Sequence, residues 1–111
     1  LNPLDEPQVP FVAQQLKGAK GPVIAATDYM KSYAEQIRPC VPGRFTVLGT
    51  DGFGRSDSRV NLRRFFEVDA NHIAAAAMVD LYREGAITKA VLSKALTKYD
   101  IDGAKPNPRL V

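Results

Sequence analysis

The sequence predicts an α/β fold, on three observations. The stretch PVIAATD, residues 22–28, is a continuous apolar run of strand length, as expected of a strand covered on both faces. FTVL, residues 45–48, follows a Pro-Gly turn and is made mainly of aromatic and β-branched residues that suit a pleated surface. Around and after these runs apolar residues recur at helical spacing, giving the order helix, strand, helix, strand and then three helices. That is a β-α-β core with parallel strands and helices added at its end.

Each element has its own local signature. In PQVPFVAQQLKG, Val9, Val12, Ala13 and Leu16 fall on one helix face, with Asp5 placed to cap and Gly18 to terminate. Asp28 is placed as the N-cap of YMKSYAEQIR, where Tyr29, Tyr33 and Ile37 recur every four residues, and Pro39 stops that helix. Ser58 caps RVNLRRFF, whose Leu62, Phe65 and Phe66 are expected to dock on the core. Asp69 or Asn71 opens HIAAAAMVDLYREG, with Ile73, Ala77 and Leu81 on one face and Gly85 at its end. Thr88 caps KAVLSKALTKYD, which turns Leu92, Ala95, Leu96 and Tyr99 inward, and GAKPNPRLV follows as a Pro-rich tail.

At 111 residues, 45% apolar and 24% charged, the chain has the composition of one soluble globular domain. No apolar run approaches the length of a membrane span, and the first residues lack the basic and apolar regions of a signal peptide. The single cysteine, Cys40, cannot form an internal disulfide, so a reducing, cytoplasmic setting is expected. The net charge of +3 is too mild and dispersed to argue by itself for nucleic acid or a membrane surface. Two strands are few for a sheet, and the chain opens on Leu1 inside a Pro-rich connector. A fragment of a longer chain, with strands upstream, is therefore expected.

LGTDGFGRSDSR, residues 48–59, is the most unusual stretch and the obvious candidate for a catalytic or phosphate loop. Gly52-Phe53-Gly54 after a strand has part of a dinucleotide fingerprint, but Asp57 stands where the third glycine belongs, and no Gly-Lys-Ser/Thr ending follows. The plainer reading is a turn-rich connection using Gly49, Gly52 and Gly54 for conformations open to glycine, with Arg55 and Arg59 pairing with Asp51, Asp57 or a neighbouring domain. His72 is the only histidine and lacks partners at metal-ligand spacing, so a structural role is expected for it. Arg55, Arg59, Arg63 and Arg64 form the strongest basic cluster, which admits an independent anion- or nucleic-acid-binding module as the alternative function. Phe65 and Phe66 are paired for docking rather than interleaved for stacking, and Asp51, Asp57 and Glu67 dilute the field. An ion-paired interface is favoured.

TDYMKSYAEQIRPCVP, VLGTDGFGRSDSRVNLRRFFEVDA and the ending NPRLV resemble the carboxyl-terminal end of the homodimeric-type pyruvate dehydrogenase decarboxylase subunits, a transketolase-like, thiamine diphosphate-dependent family. The resemblance covers residues 1–111. It implies a three-layer, mixed-sheet transketolase C-terminal domain, here without its upstream first strand and most of its second. It implies a parent that binds thiamine diphosphate and magnesium, decarboxylates pyruvate and passes the two-carbon unit to lipoyl groups of an acetyltransferase core. The family's Gly-Asp-Gly metal motif, activating glutamate and catalytic histidines match no stretch of this chain, so no catalytic, cofactor-binding or metal residue is expected in it. The expected role is structural, in assembly and dimer packing, with Asp51, Arg55, Asp57, Arg59 and Arg63 as candidate interface residues. The expected partners are the upstream domains, the second subunit and, as a further possibility, the acetyltransferase core, with no nucleic acid and no membrane.

Overall fold

The computed structural model describes residues 3–111. Among these the chain forms α1 (Phe11–Leu16), β1 (Val23–Ala26), α2 (Lys31–Glu35), a 3-10 turn (Arg38–Cys40), β2 (Phe45–Leu48), α3 (Arg59–Phe65), α4 (Ala70–Arg83), α5 (Lys89–Lys98) and a second 3-10 turn (Pro108–Leu110). The expected element order is present throughout.

β1 and β2 pair in parallel, with Val23 opposite Phe45 and Ala26 opposite Leu48. Side chains alternate across a strand, so Phe45 and Val47 point to one face of β2 and Thr46 to the other. On the first face the Arg38 guanidinium lies 5.0 Å from the centre of the Phe45 ring, and α2 packs beside β2. On the second, Thr46 Oγ1 donates to Asp80 Oδ2 at 2.5 Å from α4. Helical segments therefore cover the sheet from both sides. The sheet is wholly parallel among the described residues. β1 is half-buried rather than enclosed as its apolar run predicts, because α4 is the one helix packed extensively on it.

The core is small. Phe45, Val47, Phe66, Val68, Ala75 and Ala95 are buried, together with Asp80, which is 1% exposed. Asp80 keeps its place because Thr46 satisfies one oxygen and the Arg83 guanidinium stands 3.9 Å from the other. A buried carboxylate without such partners is strongly destabilising.

The last three α-helices begin with side-chain caps three residues ahead of the amide they serve. Ser58 accepts from Asn61 N at 3.3 Å, Asp69 from His72 N at 2.9 Å and Thr88 from Val91 N at 3.3 Å. They also end alike: Val68 N reaches Arg63 O, Ala86 N reaches Leu81 O and Ile101 N reaches Leu96 O, each with a left-handed residue just before the donor. These are Schellman endings. Gly85 takes the left-handed position after α4 at φ 79°, as its place in the sequence predicts. Glu67 (φ 63°) and Asp100 (φ 53°) take it after α3 and α5.

The first two helices depart from expectation. Asp5 does not cap α1: Pro10, extended at φ −58° and ψ 148°, precedes the first helical residue, and Val9 lies outside the helix, 58% exposed. Asp28 does not cap α2 either, for Met30 holds that position without a side-chain bond. A carboxylate twenty residues away does the work instead, Asp51 Oδ1 accepting from Lys31 N at 3.1 Å. Asp28 is drawn off by Arg63 at 3.0 Å. The Tyr29, Tyr33 and Ile37 face is exposed, with the two tyrosine rings edge-on at 5.7 Å.

The outcome is a flat, extended body. Its radius of gyration is 16.7 Å, against about 13 Å for a compact domain of this length. It exposes 8291 Å² at 12.1 kDa, about 2,300 Å² more than the roughly 6,000 Å² of a folded monomer of that mass.

Candidate interface around the glycine loop

The loop leaves the carboxyl end of β2, the end at which open α/β sheets place their ligand crevice. Its first half is fastened to the start of α2. Thr50 N donates to Tyr29 O at 2.8 Å, and a Cβ on Gly49 would stand 2.8 Å from that same carbonyl oxygen and 2.9 Å from Lys31 N. Only glycine allows two backbones this close. Gly52 adopts φ 103°, and a Cβ there would meet Pro108 O at 2.8 Å. Gly54 has neither constraint, so the expectation that it too needs glycine's freedom is corrected.

The loop's acids are occupied by amides. Asp57 Oδ1 accepts from Ser58 N at 2.6 Å and from Asn61 Nδ2 at 2.9 Å. The Asn61 side chain first, and the Ser58 amide next, hold its carboxyl below the usual carboxylate range. With Asp51 bound to Lys31 N, the expected pairing of Arg55 and Arg59 with these two acids does not form. Arg55 instead lies 4.0 Å from the centre of the Phe65 ring, a cation–π contact. Arg63 pairs with Asp28, whose carboxyl is lowered by that hydrogen bond first, against slight desolvation, and then by the charges of Arg63 and Arg59. Arg64 pairs with Asp100 at 2.7 Å. Arg59 is in no ion pair among the described residues, so most of the basic cluster is engaged within the chain.

Four of the five candidate residues share one place. Arg55, Asp57, Arg59 and Arg63 line an open cleft of about 410 Å³ with Thr50 and Leu62. Asp51 lines a second cleft of about 340 Å³ across the loop, with Lys31, Lys105 and Arg109. Sequence reasoning missed the carboxyl-terminal contribution: Lys105 donates to the Phe65 carbonyl and lies 3.2 Å from Glu67. It missed buried Asp80 as well, for which the one local signal is an acid within the apolar run AAMVDL.

His72 Nδ1 lies 2.6 Å from Asp69 Oδ1. Burial raises the Asp69 carboxyl, but hydrogen bonds from the His72 amide and ring outweigh it and leave the group below its ordinary value. The cleft beside His72 is lined by Asp57, Asn61, Arg64, Phe65, Asp100, Asp102 and Lys105, none of them a serine, threonine or cysteine. The Gly52 backbone is covered by the Pro108 carbonyl and Arg109, so it is not open to cradle a diphosphate. Among the described residues no three of His, Cys, Asp and Glu gather as a metal-binding group. Nor, among the described residues, is any helix long and apolar enough to cross a membrane.

Residues 1–69 match the family model described as the transketolase-like TK C-terminal domain. The whole chain is 54% identical over 111 residues to the pyruvate dehydrogenase E1 component of Cupriavidus necator, covering 12% of that protein. It is 53% identical over 111 residues to the protein of the same name from Escherichia coli K12, covering 99% of this chain and 12% of that one. The Mycolicibacterium smegmatis pyruvate dehydrogenase E1 component is 48% identical over 99 residues, covering 88% of this chain and 11% of its own length. The chain thus spans about an eighth of the length of the curated relatives it matches.

Proposed function

The chain belongs to the transketolase-like C-terminal domain family, and on that premise we propose that it is a noncatalytic structural and assembly domain of a longer pyruvate dehydrogenase decarboxylase. In that protein the chemistry belongs to other domains. They bind thiamine diphosphate and magnesium, decarboxylate pyruvate and transfer the two-carbon unit to lipoyl groups of an acetyltransferase core. This domain packs against them and against the second subunit of a homodimer, in the cytoplasm. No step of the reaction is routed through the residues of this chain.

The observation that carries this role is the surplus of exposed surface. About 2,300 Å² beyond a monomer's share is the scale of one side of an obligate interface rather than of a transient contact. It includes Tyr33 at 65% exposed and Val60 at 76%, with Phe11, Tyr29 and Phe53 among the other exposed large apolar side chains. The test is calorimetric titration of thiamine diphosphate with magnesium into the 111-residue chain and into the longer protein, with pyruvate decarboxylation assayed in both. Binding and turnover by the longer protein alone is expected. Cofactor binding or turnover by the 111-residue chain would overturn the assignment.

A further inference from the structure

The carboxyl-terminal segment and the end of α3 are clasped crosswise. Lys105 reaches the Phe65 carbonyl and Glu67, while Arg64 donates to both the carbonyl and the carboxylate of Asp100 at 3.0 and 2.7 Å. Each cation thus pairs with one of the two non-glycine residues held in left-handed backbone. Beyond the clasp, Asn107 Oδ1 accepts from Arg109 N at 3.0 Å, and the Pro108–Leu110 turn lies on Gly52. Loop and tail are therefore packed into one continuous surface.

That surface displays two large apolar side chains. Phe53 is 82% exposed and Leu110 is 81% exposed, and each is adjacent in sequence to a residue of the Gly52–Pro108–Arg109 contact. Lys31 and Arg109 line one of the two clefts at the loop and Arg55 and Arg59 the other; none of the four is in an ion pair among the described residues, Arg55 lying over the Phe65 ring. Of the acids lining the two clefts, Asp51 and Asp57 are held by amides, Asp28 by Arg63 and Glu67 by Lys105. We propose that the glycine loop and the carboxyl-terminal turn form a single docking surface for a segment of the same longer polypeptide, outside these 111 residues, that carries apolar side chains flanked by carboxylates.

This rests on the reading of the chain as part of a longer enzyme. Charge complementarity specifies the carboxylates, since four cations without ion pairs line the two clefts at the loop, and each acid lining those clefts is already bound to another group. Length specifies the source: the relatives extend far beyond the 12% that this chain spans. A segment tethered in the same polypeptide binds at high effective concentration. Two apolar anchors then suffice, where a separate partner needs about 800 Å² on each side.

The test is photo-crosslinking in the full-length protein carrying Phe53→p-benzoylphenylalanine, which retains an aromatic ring at an exposed site. Leu110→p-benzoylphenylalanine is the second probe should the first protein not assemble. The expected product is an intrachain link to a peptide outside the 111 residues with Asp or Glu beside the linked apolar residue. Its yield should fall several-fold with Arg59→Glu and Arg109→Glu together. Mixing isotope-labelled and unlabelled subunits identifies links between chains. A link to the second subunit, a link confined to the 111 residues, a link outside them to a segment without acids, or no link from either probe overturns the proposal. A link as expected in a protein that binds no thiamine diphosphate would sink the functional reading alone, and normal cofactor binding without the link would sink the docking surface alone.

Discussion

Replacing Gly52 by alanine tests whether loop and tail are one packed unit. Two costs add at this position. The backbone at φ 103° is open to glycine and strained for any residue with a Cβ, worth about 1–3 kcal/mol. The new methyl would also stand 2.8 Å from the Pro108 carbonyl oxygen and 3.1 Å from Arg109 Cα, an overpacking term of about 1–3 kcal/mol unless the tail withdraws. A loss of about 3 kcal/mol is expected, which at an m-value of about 2 kcal/mol/M moves the urea midpoint down by roughly 1.5 M. Gly54→Ala is the matched control. It has ordinary backbone and no atom within 4 Å of the added carbon, so it should lie within about 0.5 kcal/mol of the parent or stabilise slightly. If the tail yields instead, hydrogen exchange reads it, because the Leu110 amide, bonded to Asn107 O, should exchange faster in Gly52→Ala alone. Equal midpoints for the two variants, or unaltered exchange at Leu110 with no loss of stability, would refute the packing argument.

Other expectations follow from single contacts. Thr46→Val should cost about 2 kcal/mol by leaving buried Asp80 without its hydroxyl donor, and Thr46→Ser should recover part of it in the same denaturation assay. Asp69→Ala should cost about 1 kcal/mol through the lost cap on α4, read by urea titration, with Asp69→Asn close to the parent at neutral pH. The Asp69 carboxyl is lower folded than unfolded, so its stabilising contribution is present above an unfolded value of about 4 and is lost as pH falls through the folded value. Stability plotted against pH should therefore fall less steeply below pH ~4 in Asp69→Asn than in the parent. Lys105→Met should loosen the tail, seen as faster exchange at the Leu110 amide. Unchanged exchange there would mean the clasp is not what holds the turn on Gly52.

The elements legible in the sequence are those whose determinants lie within a few residues. Ser58, Asp69 and Thr88 cap across three positions, Gly85 ends α4 where its left-handed backbone is needed, and Phe45–Leu48 carries the composition of a strand. Errors begin where the partner is remote. Asp28 looks like a cap to its own neighbours, yet Arg63, thirty-five residues on, offers a charged partner and takes it. The vacated role passes to Asp51 from across the fold. The same distance hides the Arg64–Asp100 and Lys105–Glu67 pairs, which let residues other than glycine close α3 and α5. Burial of β1 departs from expectation for a related reason: an apolar run states what a strand can bury against, and packing by α4 decides how much it does. Of the candidate site, the residues of the loop were legible as a group, while their pairings and the tail's share of the surface were not.

The most direct test of the claim that this chain is a domain built to be covered is hydroxyl-radical footprinting of Tyr29, Tyr33, Phe53 and Leu110, compared between the 111-residue chain and the longer protein. All four are exposed here. Marked protection of these side chains in the longer protein, with Tyr82 on the far end of α4 as an internal reference, is the expected result. Equal modification of all four in both proteins would contradict the claim, for the surplus surface would then remain in water in the assembled enzyme.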